Sequence, residues 1–150
     1  MKIAFAASAL LAGLSAAATA QEVTLDQSKL YVSEPAACQM LADKGVSAFD
    51  ELDFLALSFT DGIQGMEFHC SFFDVKSMPT SSYLFVSAVC SLPGEIYPDT
   101  LSISPYEATT IQVVSTYDTM LAYSNTTESE VSDPGITFFH RCDNLSELPR

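Results

Sequence analysis

The sequence holds 150 residues, with 19 acidic side chains against six Lys and Arg, and a formal charge of −13 at neutral pH. Such a surface repels phosphate backbones and anionic headgroups, so nucleic acid and membrane surfaces are disfavoured as partners. A basic protein, a cationic peptide or a divalent cation suits it, although solubility alone also accounts for the charge.

The first element is a secretory signal at residues 1–20. Lys2 forms a short positive region, Ile3 to Ala18 is apolar and rich in small residues, and Ala18-Thr19-Ala20 is the pattern a signal peptidase reads. The apolar part falls short of the about 20 strongly apolar residues of a spanning helix. Cleavage before Gln21 would remove Lys2 as the only charge, taking −13 to −14 and leaving residues 21–150 as a single domain. No cysteine lies near the cleavage site to take a lipid anchor. The alanine-rich signal with one Lys points to a Gram-negative periplasm or the medium. The sequons Asn125-Thr126-Thr127 and Asn144-Leu145-Ser146 would carry glycans only in a eukaryotic setting.

Ser33 to Gly45 reads as a helix, with Ser33 as cap, Pro35 in the first turn and Gly45 as stop. Cys38, Leu41 and Ala42 would share its inward face. Residues 49–60 fit either a helical face or a buried strand over Leu55 to Phe59. The turn signal Thr60-Asp61-Gly62 favours the strand. Met66, Phe68, Cys70 and Phe72 alternate with polar residues, giving a strand over Met66–Phe73 with one apolar face. After a turn around Pro79, Tyr83 to Cys90 is apolar on both faces and reads as a doubly covered strand. Pro93-Gly94 and Pro98-Asp99 read as turns. Strands follow at Thr100–Ser104 and Thr110–Thr116, separated by Pro105, then at Met120–Tyr123 and Ile136–Cys142. Turn signals at this spacing predict a mainly β fold: a small antiparallel sandwich or barrel with one short N-terminal helix.

Cys38, Cys70, Cys90 and Cys142 are four cysteines in an exported chain and read as two disulfides, with three pairings to choose from. A hairpin centred near Pro79 sets Cys70 opposite residue 88 and makes Cys90 its diagonal neighbour, poor geometry for a bridge. The preferred pairing is therefore Cys38–Cys70 with Cys90–Cys142.

Catalytic machinery is sparse. The only histidines are His69 and His140, and no Gly-x-Ser-x-Gly elbow occurs in residues 21–150. Glu67 and His69 would share a strand face as an acid–base pair, but a solvated face produces the same pattern. No spacing suits zinc, and adjacent strand residues such as His69 and Cys70 point to opposite faces. The acidic clusters Asp50, Glu51, Asp53 and Glu128, Glu130, Asp133 lack the spacing of a calcium loop. No Cys-x-x-Cys supports a redox role. No catalytic residue, metal or cofactor is expected.

The run Asp61-Gly-Ile-Gln-Gly-Met-Glu-Phe-His-Cys70, with Val89-Cys90, Pro93-Gly94-Glu95 and Tyr97-Pro98-Asp99, resembles small exported bacterial proteins of unassigned function. That resemblance spans about a third of the chain and implies a class without an activity. The stapled β framework and the terminal Arg141-Cys142 are similar in architecture to the periplasmic inhibitors of C-type lysozyme. Their Tyr-x-Cys motif is missing here, since Ala88-Val89 precede Cys90 and Ala36-Ala37 precede Cys38. The leading expectation is a non-enzymatic exported binding domain. Inhibition of a basic extracellular protein such as lysozyme, and a hydrolase built on Glu67 and His69, are the alternatives.

Overall fold

The computed structural model describes residues 24–125 and 135–149. The expected signal, the cluster Glu128, Glu130, Asp133 and the rest of the Asn125 sequon lie outside the described residues. Eight strands follow one another around a closed antiparallel barrel: β1 (Leu30–Val32), β2 (Ala56–Ser58), β3 (Gly62–Gln64), β4 (His69–Ser77), β5 (Leu84–Leu92), β6 (Glu95–Glu107), β7 (Thr110–Ser115) and β8 (Ile136–Cys142). β8 returns to pair with β1, which closes the sheet on itself. Helix α1 (Ala37–Lys44) and a 3-10 turn (Gly45–Asp50) join β1 to β2, and helix α2 (Thr116–Asn125) follows β7. The expected mainly β, disulfide-stapled architecture is thus a barrel, with α2 as a second helix.

Eight strands enclose a space that side chains just fill. Tyr31, Leu57, Val86, Leu101, Ile103 and Phe139 do so here, all buried. A second core lies outside the barrel. Leu30, Val32, Ala56 and Cys142 pack there against Ala37 and Leu41 of α1, the stacked rings of Phe49 and Phe54, and Leu148 of the C-terminal tail.

α1 is short and draws its stability from that docking. Ala37 and Leu41, one helical turn apart, are its buried stripe; Cys38 is half-buried and Ala42 is exposed, contrary to expectation. Gly45 ends the helix with φ +58°. Ser33 does not cap it. The Ser33 amide donates to the Leu55 carbonyl, and its hydroxyl accepts the Leu55 amide, both at 2.8 Å, which ties the two ends of the connection together. The expected strand over Leu55–Phe59 is present as β2.

The disulfides differ from the expected pairing. Cys70 bonds Cys90, and Cys38 bonds Cys142. The β4–β5 hairpin turns through residues 78–83 and closes with Ser77 opposite Leu84, beyond Pro79. A bulge then inserts Phe73 between Phe72 and Asp74, and the combined shift sets Cys70 directly opposite Cys90, with Cα atoms 3.9 Å apart. Cys90 and Cys142 cannot meet. Cys90 belongs to the core inside the barrel, whereas Cys142 belongs to the core outside it, opposite Leu30 and beneath α1.

Three other expectations give way. β5 is covered on one face only: Leu84, Val86, Ala88 and Cys90 point inward, while Phe85 and Val89 stand in solvent. Pro98-Asp99 is not a turn, because β6 runs straight through it. Pro98 lies where β6 has outrun the end of β7, an edge with no strand to receive an N–H, and Pro105 sits beside a bulge at Tyr106. Met120–Tyr123 is helical, part of α2, whose first turn is capped from β6 and β7.

Candidate functional site

Antiparallel order places the 65–68 and 93–94 turns and the start of α2 at one end of the barrel, here the upper end. Glu95, Tyr97 and Asp99 are alternate residues of β6, so all three turn toward the same face. Asp99 is buried, and its carboxylate is fully engaged. It accepts the Thr100 amide at 2.7 Å, the Ser115 hydroxyl at 2.6 Å and the Tyr117 amide at 2.9 Å. Ser115 in turn accepts the Asp118 amide at 2.9 Å. Asp99 and Ser115 together thus satisfy two free N–H groups in the first turn of α2, which is why the chain turns helical where β propensity suggested a strand.

This capping fixes Tyr117 over the end of the barrel. Its ring stacks on Tyr97 with centroids 3.8 Å apart, and its hydroxyl donates to the Glu95 carboxylate. Burial, with Asp118 and Asp99 adding repulsion, pushes the Tyr97 hydroxyl up to about 12. Acceptance by Glu95 raises Tyr117 as well. Burial likewise raises the Asp118 carboxyl, opposed by Ser115 and reinforced by Asp99. Three carboxylates and two stacked phenols therefore share this end.

Beneath them the barrel leaves a cavity of only about 40 Å³, walled in part by Leu55, Phe68, Asp99 and Asp118. Two open depressions adjoin it. A groove of about 310 Å³ shares Asp99 with the cavity and runs between Phe73 and Met120 over Ser87, Pro98 and Thr100. A second depression, about 420 Å³, shares Leu55 and Phe68 and is lined by Met66 and Leu92 with Asp53 and Glu67.

The residues singled out in the sequence are dispersed. β4 begins at His69, so Glu67 lies in the preceding turn and does not share a strand face with it. His69 is exposed, and its Nε2 lies 2.9 Å from the Ser71 hydroxyl. His140 faces the Thr110 hydroxyl at 3.3 Å on β8, remote from His69 in the sheet order. Glu51 is paired with Lys44, and Asp53 lines the second depression. Among the described residues no three His, Cys, Asp or Glu side chains converge on one point as metal ligands must. Sequence alone does not group Glu95, Tyr97, Asp99 and Tyr117 as a site. Glu95, Tyr97 and Asp99 alternate, but the Pro98-Asp99 dipeptide reads as a turn, and Tyr117 lies on a separate element.

Comparison with known proteins gives no match among family models, curated proteins or solved structures.

Proposed function

We propose that this protein is an exported, non-enzymatic domain that binds other proteins at its surface. The observation that carries the reading is the contrast between a filled interior and an open, partly apolar exterior. A ligand pocket of a carrier barrel occupies roughly 300–1,000 Å³, far more than the residual 40 Å³ inside this one. Outside, Phe73, Ile96 and Met120 are 68%, 77% and 66% exposed. Side chains of that size left in solvent on a rigid scaffold are what a protein interface uses. The acidity of the chain favours a basic partner and would speed its association. Inhibition of a basic enzyme such as lysozyme is a narrower form of the same reading.

The test is chemical cross-linking of the purified protein in extract of the exported compartment, paired with native mass spectrometry of the protein alone. Discrete protein–protein adducts that thin out as salt rises are expected, with no small molecule retained. A stoichiometric apolar ligand carried by the protein would overturn the reading.

A further inference from the structure

The bulge in β4 does more than set the register of the cysteines. Paired residues of neighbouring strands share a face, so Ser71, Val89 and Pro98 form one outward row across β4, β5 and β6, and Ser87 and Thr100 belong to the next. Phe73 is the inserted residue and has no partner across the sheet. It lines the groove together with Ser87, Pro98 and Thr100 of these rows and with Met120 and Tyr117 of α2. Ile96, beyond Pro98 on the same outward face, extends the apolar surface upward.

Charge decides what fits such a groove. Asp99 lines it, and Glu95, which accepts the Tyr117 hydroxyl, stands beside it. Among the described residues no Lys or Arg lines it, the cavity or the second depression. The four described bases are engaged elsewhere: Lys29 donates to the Asp143 carbonyl, Lys44 pairs with Glu51, Lys76 with Asp74 and Arg141 with Asp143. A second copy of a chain carrying −13 would be repelled from this surface. A cation with an apolar stem would meet aromatic and thioether walls along the stem and carboxylates at its head.

We infer that the groove between Phe73 and Met120 is the docking site for a basic protein segment, which seats a Lys or Arg side chain between those two residues with its charged end toward Glu95. This rests on the protein-binding reading above and adds where the partner sits and what chemistry it presents.

An array of immobilised 15-residue peptides, varied in net charge and apolar content, tests it against the intact protein and three variants: Phe73→Ser/Met120→Ser, Glu95→Gln, and Phe85→Ser as an exposed control on the same strands. Peptides combining Lys or Arg with apolar residues should bind best, and poly-lysine weakly. The groove variant should lose at least tenfold in affinity with its melting temperature unchanged. The charge variant should lose binding at low salt only, and the Phe85 control should bind like the parent. Preference for neutral or acidic peptides would overturn the proposal, as would the absence of peptide binding. Binding that survives the groove substitutions would overturn the site while leaving the broader reading, tested by cross-linking, intact.

Discussion

The Asp99 carboxylate accepts the Tyr117 amide at 2.9 Å and so fastens the start of α2 to the side of β6. Because the same carboxylate also takes the Ser115 hydroxyl, removing it strands a buried hydroxyl and a helix N–H at once. Asp99→Ala should therefore cost about 2–4 kcal/mol, one unsatisfied buried donor plus a lost cap. Chemical denaturation reads that cost, and circular dichroism should show helix signal lost before strand signal. Asp99→Asn keeps an acceptor and should cost less.

Tyr97 ties stability to alkaline pH. Its folded-state value is raised to about 12 from an ordinary 10, so the unfolded chain gives up its proton first as pH rises. The contribution is fully present below pH 10 and is lost as pH climbs through about 12. Alkaline unfolding followed by circular dichroism should shift to higher pH in Tyr97→Phe, which has no proton to lose. An unchanged midpoint would show that the hydroxyl is not shielded.

Asp118 acts in the acid range with the same sign. Its raised value means the native state holds its proton longer than the unfolded chain, so its contribution falls as pH rises above the ordinary aspartate value of 3.8. Asp118→Asn should raise the melting temperature at pH 7, and the gain should vanish near pH 3. A gain equal at both pH values would assign the effect to packing.

Gly62 opens β3 with φ +91°, and a side chain there would collide with the Cys70 carbonyl oxygen on the neighbouring strand. Gly62→Ala should thus destabilise by more than the about 1–2 kcal/mol of left-handed backbone strain alone. Gly94 has φ +84° but open space around it. Gly94→Ala should pay the backbone strain alone, and denaturant midpoints of the two variants separate strain from clash.

The two bridges should also differ in accessibility. Cys70 and Cys90 are buried inside the barrel, whereas Cys38 is half-buried on α1. Mild reductant followed by alkylation should label Cys38 and Cys142 first, since exchange requires access to sulfur. Labelling of Cys70 and Cys90 first would place that bridge at the surface.

Much of the barrel was legible because its longer strands obey local rules. β8 was read to its final residue, and the alternation in β4 announced its inward cysteine. The three-residue strands β1 and β3 carry too little pattern to register as period two. β5 misled because composition records apolar residues without saying whether a second layer covers them, and Phe85 and Val89 have none. The upper end was illegible for a different reason. Asp99 caps a helix 16 or more residues away, and Cys70 meets Cys90 only after a bulge no short window reveals. Both are tertiary facts overriding the local signals of Pro98-Asp99 and Pro79.

The barrel's closure, with one disulfide inside it and one outside, is tested most directly by a disulfide map. Trypsin cuts after Lys29, Lys44, Lys76 and Arg141, which places each of the four cysteines in its own peptide: 30–44, 45–76, 77–141 and 142–150. Digestion of the unreduced, unfolded protein with thiols blocked, read by mass spectrometry, therefore distinguishes all three pairings. Peptide 30–44 joined to 142–150, and 45–76 joined to 77–141, is the expected result. Peptide 30–44 joined to 45–76, or 77–141 joined to 142–150, would contradict the barrel and every feature built on its upper end.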